Sequence, residues 1–107
     1  MIRKPTVAGK FYPQDKTELE EEVKEYLAGK RENIEMAVVP HAGYMFSGKL
    51  AGEVIGKIGK KKDFIILGVN HSGLGNKVSF SSADFSVVAD QKNWKAGSFP
   101  VKLVIFF

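Results

Sequence analysis

The sequence predicts an α/β fold, a partial parallel or mixed sheet with flanking helices. Three observations predict it. Two apolar runs have strand length, an amphipathic stretch of helical period lies between them, and Pro40 and Gly59 close the first run and that stretch. A chain of 107 residues has room for one small domain. Its 44% apolar content, with eight Phe, is enough for a core and excludes a disordered chain.

The segment up to Pro13 is punctuated by Pro5 and Gly9 and reads as an irregular arm. Thr17–Leu27 reads as the first helix, with Thr17 and Glu20 as a capping box and Leu19, Val23, Tyr26 and Leu27 on one face. Gly29 is the expected stop. "IEMAVV", Ile34–Val39, reads as the first strand, closed by Pro40. Ser47 is the expected cap of a second helix reaching Ile58, with Leu50, Ala51, Val54, Ile55 and Ile58 along one side. "DFIILGV", Asp63–Val69, reads as a second strand, and its nearly continuous apolar run suits cover on both faces. After Asn76, "KVSFSSADF" reads as a short strand and a turn, and the chain closes on the strongly apolar "VKLVIFF".

Strand, helix and strand in succession make a βαβ unit, so the two strands should run parallel with a right-handed crossover. His41 lies two residues past the first strand and His71 two past the second. Parallel neighbours set both loops at the same carboxyl edge, where open α/β sheets hold their ligands. Adjacent strands lie roughly 5 Å apart, so the two imidazoles are expected to converge.

Charge and composition remove several function classes. The net charge of +4 is dispersed. Its densest run, "KIGKKKD" (Lys57 to Asp63), sits at an expected helix end, where lysines offset the dipole, and no nucleic-acid partner is expected. There are no cysteines, hence no disulfide and no thiolate. Neither a signal-peptide core nor a membrane-length apolar run is present, so a soluble, cytoplasmic protein is expected.

Within "VVPHAGYMFSGKLAG", Gly43, Gly48 and Lys49 reproduce most of a phosphate-binding loop. Leu50, however, replaces the hydroxyl residue that holds magnesium, and no acidic residue ends the next strand. A nucleotide binder is therefore the weakest alternative. Neutral imidazole is a common ligand for iron, copper and zinc, but a site normally needs three protein ligands. Asp84 is the nearest carboxylate after His71, while Asp63 starts its strand and belongs at the other end. The plain alternative is two loop histidines satisfied by backbone hydrogen bonds.

"RKPTVAGKFYP" (Arg3 to Pro13), "VPHAGYMFSG" (Val39 to Gly48) and "GVNHSGLG" (Gly68 to Gly75), followed by "FSSADFS" (Phe80 to Ser86), resemble successive blocks of the Memo family. That family, named for a mediator of receptor-driven cell motility, includes the B component of the AmmeMemoRadiSam system. The resemblance implies a fold akin to the class III extradiol dioxygenases and a non-haem metal pocket for iron or copper. It matches His41 and His71 to two histidine ligands, whose third partner in the family is a cysteine much later in the chain. Phe11 and Phe46 match aromatic walls of the pocket, and Tyr44 and Asn70 belong to the same blocks. It also implies a second reading, a non-catalytic module that binds phosphorylated or acidic peptides. It does not fix a reaction.

Residues 1–86 read as the N-terminal part of a Memo-like domain and residues 87–107 as a divergent tail. A break in the reading frame near Val87 is the expected cause, with a natural short form completed by a partner chain as the alternative. On either account the later site residues are missing, so weak metal binding and no catalysis are expected of this chain alone. Open sheet edges and "VKLVIFF" predict oligomerisation unless the tail covers an edge.

Overall fold

The computed structural model describes residues 2–59, 61, 63–81, 84–85 and 101–106, a mixed α/β chain. It begins with strand β1, Ile2–Arg3, and the first helix, α1, spans Lys16–Tyr26. Its N-cap is Asp15, whose carboxylate accepts from the Glu18 backbone N–H at 2.9 Å, so the expected Thr17 cap is corrected by two residues. Asp caps as well as Thr or better, and placing it first lets Thr17 enter the helix. The helix stops at Leu27, whose N–H turns back to the carbonyls of Glu25 and Val23. Leu19, 7% exposed, is the one buried apolar side chain among the described residues.

A π-helical turn, Tyr44–Gly48, leads straight into helix α2, Lys49–Gly56. Ser47 does not cap α2. It lies inside the turn, and its hydroxyl donates to the Ala42 carbonyl at 3.2 Å. The two helices cross on glycine. A side chain at Gly48 would sit 2.7 Å from the Tyr26 ring, and one at Gly52 would run into the Tyr26 Cβ and backbone. Lys57 follows as the C-cap of α2 and pairs with Glu32 at 3.5 Å, while Lys61 donates to the Asn33 amide oxygen at 3.1 Å. Two lysines of the basic run, Lys57 and Lys61, are thus tied to the chain before it.

The expected strand Ile34–Val39 does not form. Ile34 alone makes a bridge, parallel with Ile58, and Met36 and Val38 are 85% and 91% exposed. A strand exists by virtue of its partner, and beyond Ile34 no partner lies alongside this segment among the described residues.

The second expected strand does form, as β2, Phe64–Gly68. Its parallel partner is the end of the chain. β5, Val101–Phe106, lies between β2 and the antiparallel β3, Ser79–Ser81, giving a mixed three-stranded sheet. A second, two-stranded sheet joins β1 to β4, Asp84–Phe85, in parallel. Cover on both faces of the second strand is not realised: Ile65, Ile66 and Leu67 are 69%, 47% and 62% exposed. The expected break near Val87 lies outside the described residues. No helix among those described is long and apolar enough to cross a membrane.

Candidate functional site

Two loops build the site. The first starts at Pro40 and is held from outside by the N-terminal arm: the Tyr44 N–H donates to the Phe11 carbonyl at 2.7 Å. Inside it, the N–H groups of Phe46 and Ser47 both donate to the Gly43 carbonyl, at 2.9 and 3.1 Å. Extended Gly43 followed at once by the tight turn fixes where His41 can stand. These same bonds bear on the nucleotide reading. A phosphate cradle needs free backbone N–H groups, and here those of Tyr44, Phe46 and Ser47 are engaged by carbonyls.

The second loop follows β2 and is organised by Asn70. Its side-chain oxygen accepts from the N–H groups of Ser72 and Gly73, at 3.1 and 3.2 Å, and from the Ser72 hydroxyl at 2.8 Å. Its amide nitrogen donates to the Leu74 carbonyl at 2.8 Å. The glycines at 73 and 75 take φ of +66° and +88°, a left-handed backbone that a side chain would strain. His71 sits in the middle of this tightly bonded loop.

Thirty positions apart in sequence, the two imidazoles meet. His41 Nε2 and His71 Nε2 are 3.0 Å apart, with ring centroids 5.1 Å apart and planes inclined by 49°. Both rings are exposed. In this contact one ring nitrogen donates its N–H and the other accepts with its lone pair; two imidazolium rings would set donor against donor. The spacing also fits a shared ion. Two nitrogens, each ~2.0–2.1 Å from one metal and at about a right angle, lie ~3 Å apart. Imidazole suits iron and copper. The two rings offer two nitrogens, and no group of three His, Cys, Asp or Glu able to hold a metal occurs among the described residues.

Beside the rings lies a groove of about 420 Å³ between the arm, α1 and the π-helical turn, walled by Phe11, Tyr12, Tyr26 and Tyr44, with His41 on its rim. A second hollow of about 470 Å³ shares Phe11, Tyr12 and Tyr44 and adds Phe46, Lys10, Glu18 and Glu22. Of the expected wall residues, Phe11 and Tyr44 line both spaces, whereas Phe46 lines only the second and is 81% exposed. Asn70 lines neither; its side chain is turned into its own loop.

Sequence reasoning passed over Tyr12 and Tyr26, which complete a ring cluster with Tyr44: centroids are 5.7 Å apart for Tyr12 and Tyr44 and 6.1 Å for Tyr26 and Tyr44. The signal was available for Tyr26, an aromatic on the inner face of α1. The Tyr26 hydroxyl donates a short bond, 2.5 Å, to Glu22, and that bond, with lesser burial and carboxylate effects, pushes its pKa up to about 12. Burial raises Tyr12, and burial with the charges of Tyr12 and Glu22 raises Tyr44. All three phenols therefore stay protonated through the neutral range.

A family profile described as Memo-like protein matches residues 3–87. Among curated relatives, a MEMO1 family protein of Aquifex aeolicus is 45% identical over 87 residues, 78% of this chain and 32% of the relative. One of Methanosarcina barkeri is 42% identical over 84 residues, 76% of this chain and 32% of the relative. One of Thermococcus onnurineus is 42% identical over 86 residues, covering 74% and 30%. The chain thus spans about a third of the length of the curated relatives it matches. No solved structure gives a significant match.

Proposed function

Because this chain belongs to the Memo-like family, we propose that His41 and His71 are two protein ligands of a non-haem metal, iron or copper. The observation that carries this reading is the 3.0 Å approach of their Nε2 atoms across loops thirty positions apart. Exposed rings gain little from packing together, so an approach of this kind points to a shared ligand. When bound, the ion would supply Lewis-acid or one-electron chemistry. The chain's own contribution is to aim two neutral nitrogens at one point and to offer an aromatic-walled groove beside them. A fold akin to the extradiol dioxygenases belongs to the same proposal, as does a third ligand outside this chain. Two ligands alone hold a metal weakly and support no catalysis here.

Metal titration of the purified chain by calorimetry, followed by elemental analysis, tests this. About one copper or iron per chain is expected, with binding abolished in both His41→Ala and His71→Ala. Uptake that survives either substitution would overturn the assignment.

A second reading puts a phosphorylated or acidic peptide in the second, aromatic-walled hollow, which Phe11, Tyr44 and Phe46 line. Lys10 favours it as a phosphate partner, but Glu18 and Glu22 on the same wall repel an anion. The metal reading therefore leads. Metal-free protein that binds an acidic peptide, with binding abolished in Lys10→Ala, would reverse the order.

A further inference from the structure

We infer that Asn70 is the positioning residue of the histidine pair, holding His71 against His41 through the backbone of the loop that carries it. The Asn70 side chain is bonded to each of the three residues that follow His71. The oxygen gathers the N–H groups of Ser72 and Gly73 and the Ser72 hydroxyl, and the amide nitrogen reaches the Leu74 carbonyl. The Ser72 oxygen in turn accepts from the Leu74 N–H at 3.2 Å. Asn70, the residue just before His71, is thus tied to the three residues just after it.

Nothing else described holds this loop so directly. His71 itself is exposed, and its one side-chain hydrogen bond among the described residues is to His41. With no packing to orient it, the ring's place is set by its backbone, and the backbone's shape is set by Asn70. Asn suits the position because it accepts and donates at once, closing an Asx turn and bridging beyond it. Ala would leave the loop free to open by more than the few tenths of an ångström that a shared ion tolerates.

The chain has only two histidines, so histidine-selective labelling reads the meeting of the rings directly in metal-free protein. The nuclear Overhauser effect between the carbon-bound protons flanking each Nε2 should be present in the wild type and absent in Asn70→Ala, with the remaining spectrum unchanged. Asn70→Asp keeps the three accepted bonds and gives up only the donated one, so it should preserve the effect. In a titration with copper(II) alone, Asn70→Ala should weaken affinity by ~10–100-fold, the usual effect of removing a group that orients a ligand.

The copper arm rests on the proposed function; the meeting of the rings does not. A wild type whose rings meet yet bind no copper ends the metal reading and leaves the positioning role standing on the Asn70→Ala spectrum. An unchanged Overhauser effect in Asn70→Ala overturns the inference, and so does a wild type whose rings do not meet. Should Asn70→Ala fail to fold, Asn70→Leu, which matches its size and makes none of its hydrogen bonds, takes its place: rings that part in a folded protein support the role, and rings that still meet sink it.

Discussion

At the residue scale, the site depends on groups whose surroundings differ sharply. His41 and His71 face solvent and each other, whereas the tyrosines beside them are screened by rings and by the Glu22 carboxylate. Tyr26 shows the consequence. The folded chain holds its phenol proton more tightly than the unfolded chain does, because the hydroxyl donates to Glu22. That contribution is fully present below the ordinary value of 10.0 and is lost as pH rises from there towards about 12. Urea unfolding across this alkaline window should show a shallower loss of stability in Tyr26→Phe than in the wild type. Parallel losses in the two proteins would contradict the assignment. Ultraviolet titration of Glu22→Gln should in turn bring Tyr26 down towards its ordinary range.

At the element scale, α1 and α2 approach closely because α2 presents glycine where α1 presents Tyr26. This crossing holds the π-helical turn, and with it the His41 loop, in register with the arm. Two glycine substitutions should behave oppositely. Gly52→Ala gains ~1 kcal/mol of helix propensity, but its methyl meets Tyr26, and overpacking of this kind costs ~1–3 kcal/mol. A net loss is expected in chemical denaturation. Gly29 has nothing within 4 Å of an added Cβ, so Gly29→Ala should be neutral or stabilise by ~0.4–1 kcal/mol through the unfolded chain. A Gly52→Ala variant as stable as the wild type would show that the helices do not meet this way.

At the scale of the whole molecule, apolar surface lies open. Met36, Val38, Ile65, Leu67 and Phe80 are each more than 60% exposed. The chain spans about a third of its relatives' length. β5 covers one edge of β2, so part of the hazard read from the terminal apolar run is met within the chain. The faces remain open, and exposed apolar patches drive association. Sedimentation should show mass rising with concentration, and Leu67→Lys should shift the distribution towards monomer. A wild-type chain that stays monomeric throughout would mean these faces are covered.

The sequence determined what is written within a few residues. Helical period and a cap placed α1, apolar run and length placed β2, and the spacing of His41 and His71 behind two apolar runs marked them as partners. Even there a cap moved from Thr17 to Asp15, because two adequate caps stood close together. The turn around Asn70 was not read, although Asn70, Ser72 and Gly73 are turn residues. Only the tertiary structure decided which strand lies beside β2. Sequence order favoured Ile34–Val39, yet β5 took the place from the far end of the chain. Helix bonds close between near neighbours, so local residues dictate them. A strand's hydrogen bonds close with whatever segment the whole chain brings alongside, and that choice is not encoded in the strand itself.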